Sequence, residues 1–188
     1  MGKSYRFNIK HAAYAVLTKD DSTGVAYGTV KFLPELRNIK MTPKVIDGKL
    51  YGDGVLVDQM SMLDSIGVDF DINKIPLENR AELQGNTYDK GVSTEKASDI
   101  APYIAFGFEI EHTDKKSEFV WLLKGKMDPL EDDLKQKENK IEYGTQKAKM
   151  TFQPRDNDGS IRKYADSGVT GFVQTIADGW FTAVPVPA

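Results

Sequence analysis

The sequence predicts a mainly β protein with one short α-helix, and three observations carry the prediction. Ser65 to Asn73 alternates cleanly, with Ile66, Val68, Phe70 and Ile72 on one side and Asp69 and Asp71 on the other, which is the two-residue period of a half-buried strand. Pro102 to His112 repeats the pattern. Ile104, Phe106, Phe108 and Ile110 share one face there, and Tyr103, Ala105, Gly107, Glu109 and Glu111 take the other, so both strands read as amphipathic. Sixteen glycines and eight prolines in 188 residues suit a chain rich in turns.

Tyr14 to Leu17 and Val25 to Leu33 read as strands of a hairpin around the turn-forming run Asp20 to Gly24. Asn38 to Met41 and Val45 to Ile46 flank Pro43, which has no N–H for a ladder and so predicts an edge strand or a break. Asp47-Gly48 is a turn signal. Gly52, Asp53 and Gly54 interrupt the strand-like run Leu50 to Met60 and predict a bulge, a tight bend or a second turn. Pro76 to Leu83 is the helix, with Asn73 as a possible cap and Gly85 past its end.

Val92 to Ala101 is polar and predicts a loop. Ser117 to Met127 is apolar on both faces through Phe119, Val120, Trp121, Leu122 and Leu123, as in an interior strand or one whose second face meets another subunit. Glu131 to Lys140 holds seven charged residues in ten and reads either as a helix, with Glu131–Lys135 and Asp133–Lys137 pairs, or as a solvated loop. Alternation resumes from Ile141 to Gln153. Pro154 closes that strand, Asp156-Asn157-Asp158-Gly159 is a turn, Thr170 to Ala177 is a candidate short helix, and Val184 to Pro187 is held extended by proline.

The length fits one domain spanning 1–188, with no repeat or boundary, and a chain of this size buries roughly 70% of its unfolded surface. A net charge of −3 argues against binding nucleic acid through clustered phosphate contacts. The absence of cysteine excludes disulfides, thiolate catalysis and cysteine-ligated zinc. Met1 to Lys10 has no apolar core of signal-peptide length, and no window approaches the ~20 apolar residues of a membrane span. A soluble protein made in the cytoplasm, without a membrane partner, is the expectation.

Catalytic and metal chemistry find little footing. A calcium loop with Gly159 at its sixth position would need ligands at its first and twelfth, where Pro154 and Ala165 stand. Gly52-Asp53-Gly54 lacks the third glycine of a dinucleotide loop. His11 and His112, the only histidines, sit in no ligand or nucleophile motif. No catalytic residue, cofactor or metal site is assigned, and no enzymatic activity is expected.

The order of segments resembles the major tail tube proteins of long, non-contractile-tailed (siphovirus) bacteriophages. The resemblance runs over most of the chain. It rests on His11-Ala12-Ala13-Tyr14-Ala15-Val16-Leu17-Thr18, Val25-Ala26-Tyr27-Gly28-Thr29-Val30, Leu33-Pro34 and Leu50-Tyr51-Gly52-Asp53-Gly54. It continues through Pro102 to Glu109, Lys137 to Gln146, Phe152-Gln153-Pro154-Arg155 and Gly179-Trp180-Phe181, while Val55 to Leu63 and Val92 to Ala101 match less well.

What the resemblance implies is a β-sandwich or barrel-like subunit with a flanking helix, self-assembling into hexameric rings that stack into a virion tail tube. The tube encloses the tape measure protein, meets tail tip and terminator proteins, and conducts DNA without binding it specifically. Assembly would take place in the host cytoplasm. Asp69, Asp71, Glu109 and Glu111 are candidates for an acidic channel lining, since they stand opposite the apolar faces of the two best strands. An extended loop near 128–142, through Glu131, Asp132, Asp133, Lys135, Lys137, Glu138 and Lys140, is the candidate ring-stacking element. Trp121, Leu123, Trp180 and Phe181, the last two in an extended tail near 179–188, are candidate subunit-interface residues. Three other readings remain: a type VI secretion-like tube, a monomeric carbohydrate-binding sandwich stacking sugars on Trp121 or Trp180, and a hydrolase using the Glu109–Glu111 pair.

Overall fold

Alternating segments become strands of one antiparallel sheet. A computed structural model of the chain describes residues 4–132 and 144–187. Its elements in order are β1 (Arg6–Asp21), β2 (Gly24–Tyr27), β3 (Lys31–Phe32), β4 (Leu36–Gly52), β5 (Val55–Ile72), α1 (Leu77–Gln84), β6 (Thr87–Asp89), β7 (Val92–Thr94), β8 (Ile104–His112), β9 (Ser117–Met127), β10 (Gln146–Phe152), β11 (Arg162–Asp166) and α2 (Gln174–Gly179). Nine of the strands join one sheet of order β2-β1-β8-β9-β10-β5-β4, with β3 beside β1 and β11 beside β9; β6 and β7 form a separate small hairpin. The protein is mainly β, as its sequence predicts.

The sheet folds back on itself where β9 divides its free side between two partners. Glu118 to Leu122 pair with β11, whereas Gly125 to Met127 pair with β10. Ile66, Val68, Phe70 and Ile72 of β5, with Ala148, Met150 and Phe152 of β10, therefore face Tyr14, Ile104, Phe106, Phe108, Val120 and Leu122 across a sandwich-like core. Phe70 stacks on Phe106 at 5.2 Å between centroids, the close approach that two inward-facing layers require. Helix α1 flanks this core through Leu83, and the Tyr14 hydroxyl donates to Glu82 at 2.6 Å to fix the helix to β1.

A second core lies on the opposite face of β1, β8 and β9. Ala13, Ala15 and Ala105 leave room there for Phe119, Trp121 and Leu123, and the C-terminal segment covers them with Trp180 and Val184. Gly107 is required by this packing, because a Cβ at that position would meet the Trp121 indole at 2.7 Å. Strand β8 is thus buried on both faces rather than amphipathic, and its polar-looking side is small because an indole lies on it.

Four local expectations are corrected, the first at Val92–Thr94, which is expected within a loop and instead pairs with Thr87–Asp89 as β7. Asp47-Gly48 makes no turn: β4 runs through it with Gly48 paired to Met60, and the reversal comes at Asp53 and Gly54, whose φ values of 50° and 78° suit the tight turn of a hairpin. Asn73 does not cap α1; Pro76 precedes the helix, and Gly85 closes it in the left-handed conformation. The candidate helix at Thr170 to Ala177 begins later, at Gln174, and leaves Val173 and Ile176 exposed.

One buried ionic cluster ties the sheet ends together. The Lys124 ammonium reaches Asp20 and Asp156, each at 2.7 Å, while the backbone N–H groups of Asp156 and Asn157 donate to Asp20. Burial pushes the Asp20 carboxyl up, but Lys124 and those two N–H groups outweigh it and hold it below its ordinary value. Arg155, also buried, grips Asp158 and reaches the Tyr27 hydroxyl.

Candidate functional site

Strands β4 and β5, the longest in the molecule at 17 and 18 residues, outrun the sheet that holds their first halves. Leu36 to Pro43 and Ile66 to Ile72 belong to the sandwich; among the described residues, Val45 to Gly52 and Val55 to Leu63 pair only with each other and project as a two-stranded arm. At the junction the register shifts, since Lys44 pairs with Ser65 and Val45 with Leu63, leaving Asp64 as a bulge that strengthens local twist.

The arm is apolar and wet. Val45, Ile46, Leu50, Tyr51, Val55, Leu56, Val57, Met60, Met62 and Leu63 are all between 40% and 66% exposed. Cross-strand partners share a face, so the pairs Ile46–Met62, Gly48–Met60 and Leu50–Asp58 define one side and Val45–Leu63, Asp47–Ser61 and Lys49–Gln59 the other. The first side is the more hydrophobic, with Asp58 its only charge. It continues the outer surface of the sandwich, because Asn38, Lys40, Thr42 and Lys44 precede Ile46 at the same alternate positions of β4.

That outer surface changes character at the arm. Over the sandwich it is a grid of polar and charged residues, in which Asp69 stands in register between Lys40 and Lys149, and Asp71 between Asn38 and Lys147. Three lysines thus face two aspartates, and Lys149 also approaches Glu131 at 3.4 Å. The grid mixes both signs rather than being acidic.

The four candidate lining carboxylates do not share a surface. Asp69 and Asp71 lie on the grid, but Glu109 and Glu111 belong to β8 in the other layer. Glu109 is only 6% exposed, with Lys10 at 3.4 Å and His11 Nδ1 at 2.7 Å. Glu111 accepts from Lys10 and Asn8, and the Lys10 ammonium above all holds its carboxyl below the ordinary range. Both carboxylates are thus engaged by basic or amide neighbours from β1.

Trp121 and Leu123, both fully buried, and Trp180 at 8% exposed fill the chain's own second core, with the Trp121 indole N–H donating to the Trp180 carbonyl at 2.9 Å. Phe181 packs against the same cluster. These four residues therefore form an internal contact, and neither indole offers a face for a sugar. Of the candidate stacking loop, Glu131 bridges to Lys147, and Asp132 pairs with Arg80 at 2.9 Å. Asp133, Lys135, Lys137, Glu138 and Lys140 lie outside the described residues.

Sequence reasoning missed the arm. Its signal was present in Val55-Leu56-Val57 and in Met60 and Met62, apolar residues on both parities of a strand with no second hydrophobic segment assigned to cover them. Among the described residues, no group of three or more His, Cys, Asp or Glu is placed to hold a metal, and no helix is long and apolar enough to cross a membrane. No protein-family model matches the chain, and no curated protein sequence matches it.

Proposed function

We propose that this chain is a structural subunit that assembles with its own copies into stacked rings, the major tail tube protein of a long, non-contractile phage tail. The observation that carries the reading is the arm. Isolated two-stranded hairpins are marginal in water, and exposed apolar patches of this extent mark interaction surfaces in soluble proteins. A homologous copy supplies an occupant in every subunit at once, and a head-to-tail contact of this kind generates a closed ring or an open stack.

The outer edge of β4 strengthens the reading. Among the described residues, its backbone groups from Leu36 to Gly52 have no ladder partner on that side, so another strand can join it; only Pro43 lacks the donor. Asp69 and Asp71 remain the candidates for a channel wall. With Lys40, Lys147 and Lys149 interleaved, such a wall would neither grip phosphate nor repel it strongly, which suits a conduit for DNA around a tape measure protein.

Negative-stain microscopy of the concentrated protein tests this. Rings or hollow tubes of one polypeptide are the expected result, and a monomer at every concentration, with no polymer of this chain in virions, contradicts it.

A further inference from the structure

We infer that Met60 and Met62 form an oxidation-sensitive gate on the arm, open to a hydroperoxide only while the subunit is unassembled; the inference rests on the assembly reading above. The chain has six methionines, and the structure sorts those it describes by access. Met127 and Met150 are buried at 3% and 1% exposed, and Met41 packs against the core. Met60 and Met62 are each 61% exposed. Both lie on the hydrophobic side of the arm, one opposite Ile46 and the other opposite Gly48, whose missing side chain leaves the Met60 thioether uncovered by its cross-strand partner.

The chemistry follows from thioether reactivity. A hydroperoxide transfers its terminal oxygen to the sulfur: the O–O bond breaks, an S–O bond forms, sulfur loses two electrons, and the peroxide leaves as water or an alcohol. Each product is a polar, chiral sulfoxide that an enzyme of the methionine sulfoxide reductase class can reduce back. Methionine side chains at a docking face serve as adaptable apolar filler, and two sulfoxides there replace it with dipoles that need hydrogen-bond partners. A copy seated on the face covers both sulfurs, so oxidation falls on the free pool and spares the polymer.

The test treats dilute and assembled protein with hydrogen peroxide and follows each methionine by peptide mass spectrometry. In dilute protein, Met60 and Met62 are expected to oxidise at least about tenfold faster than Met127 and Met150, following their exposure. The oxidised wild type should then need at least about tenfold more protein to assemble, with sulfoxide reductase restoring the original threshold. The M60L/M62L variant keeps the apolar face and should assemble equally well with or without peroxide. Equal oxidation rates at all four sulfurs, or normal assembly of fully sulfoxidised protein, overturn the gate alone. Absence of assembly in untreated protein overturns the functional reading and the gate with it.

Discussion

Strand β5 lives in two environments. From Ile66 to Ile72 its alternate side chains enter the sandwich core, while from Val55 to Leu63 every residue is exposed. The backbone pairing with β4 is continuous through both halves apart from bulges, so hydrogen bonding does not distinguish them. What differs is the second layer. The inner half is covered by β8 and β9, and among the described residues the outer half has no layer opposite it, although it is at least as hydrophobic. Strand formation here is a matter of pairing, whereas stability is a matter of coverage, and the arm is a strand pair that no other described element covers.

Substitutions in the two halves should therefore separate folding from assembly. Phe70→Ala removes a ring stacked inside the core and should cost about 3–5 kcal/mol of unfolding free energy, read from the urea midpoint. Asp20→Asn breaks the buried Lys124 pair at the edge of the same body and should cost about 3 kcal/mol. Because the Asp20 carboxyl is held below its ordinary value, its stabilisation is present above about pH 4 and disappears as pH falls through the folded-state value. The acid limb of stability against pH should accordingly be shallower in Asp20→Asn than in the wild type.

The arm should behave oppositely. The double change Ile46→Lys and Met62→Lys places two ammonium groups on its hydrophobic side and should raise the concentration needed for assembly by about a hundredfold, a difference of about 2.7 kcal/mol. Met62→Ala, on the same exposed face, should move the unfolding free energy of the dilute protein by less than about 0.5 kcal/mol. A large loss of fold stability in Met62→Ala would mean that the arm is covered by its own chain, and the contrast between the halves would fail.

Legibility in the sequence followed the same division. Where a segment meets one layer and water, as at Ile66 to Ile72 and Ala148 to Phe152, alternation displayed both strand and face. It misled at β8, because Ala105 and Gly107 read as an open side when they are small to admit Trp121. The arm was hidden by a competing local signal, Asp47-Gly48, that long-range pairing with Ser61 and Met60 overrides. Asp69 and Asp71 could be placed on an outer face, but the lysines beside them come from β4 and β10, and sequence distance concealed the mixed-sign grid they form together. Glu109 was likewise unreadable as buried, since its partners Lys10 and His11 lie about a hundred residues earlier.

Amide hydrogen exchange over residues 45–63, measured in dilute and in concentrated protein, tests most directly whether a second copy completes the arm. The account predicts rapid exchange across the arm at low concentration and at least about tenfold slowing on assembly, with residues 66–72 protected throughout. Identical exchange of the arm in both states would contradict it.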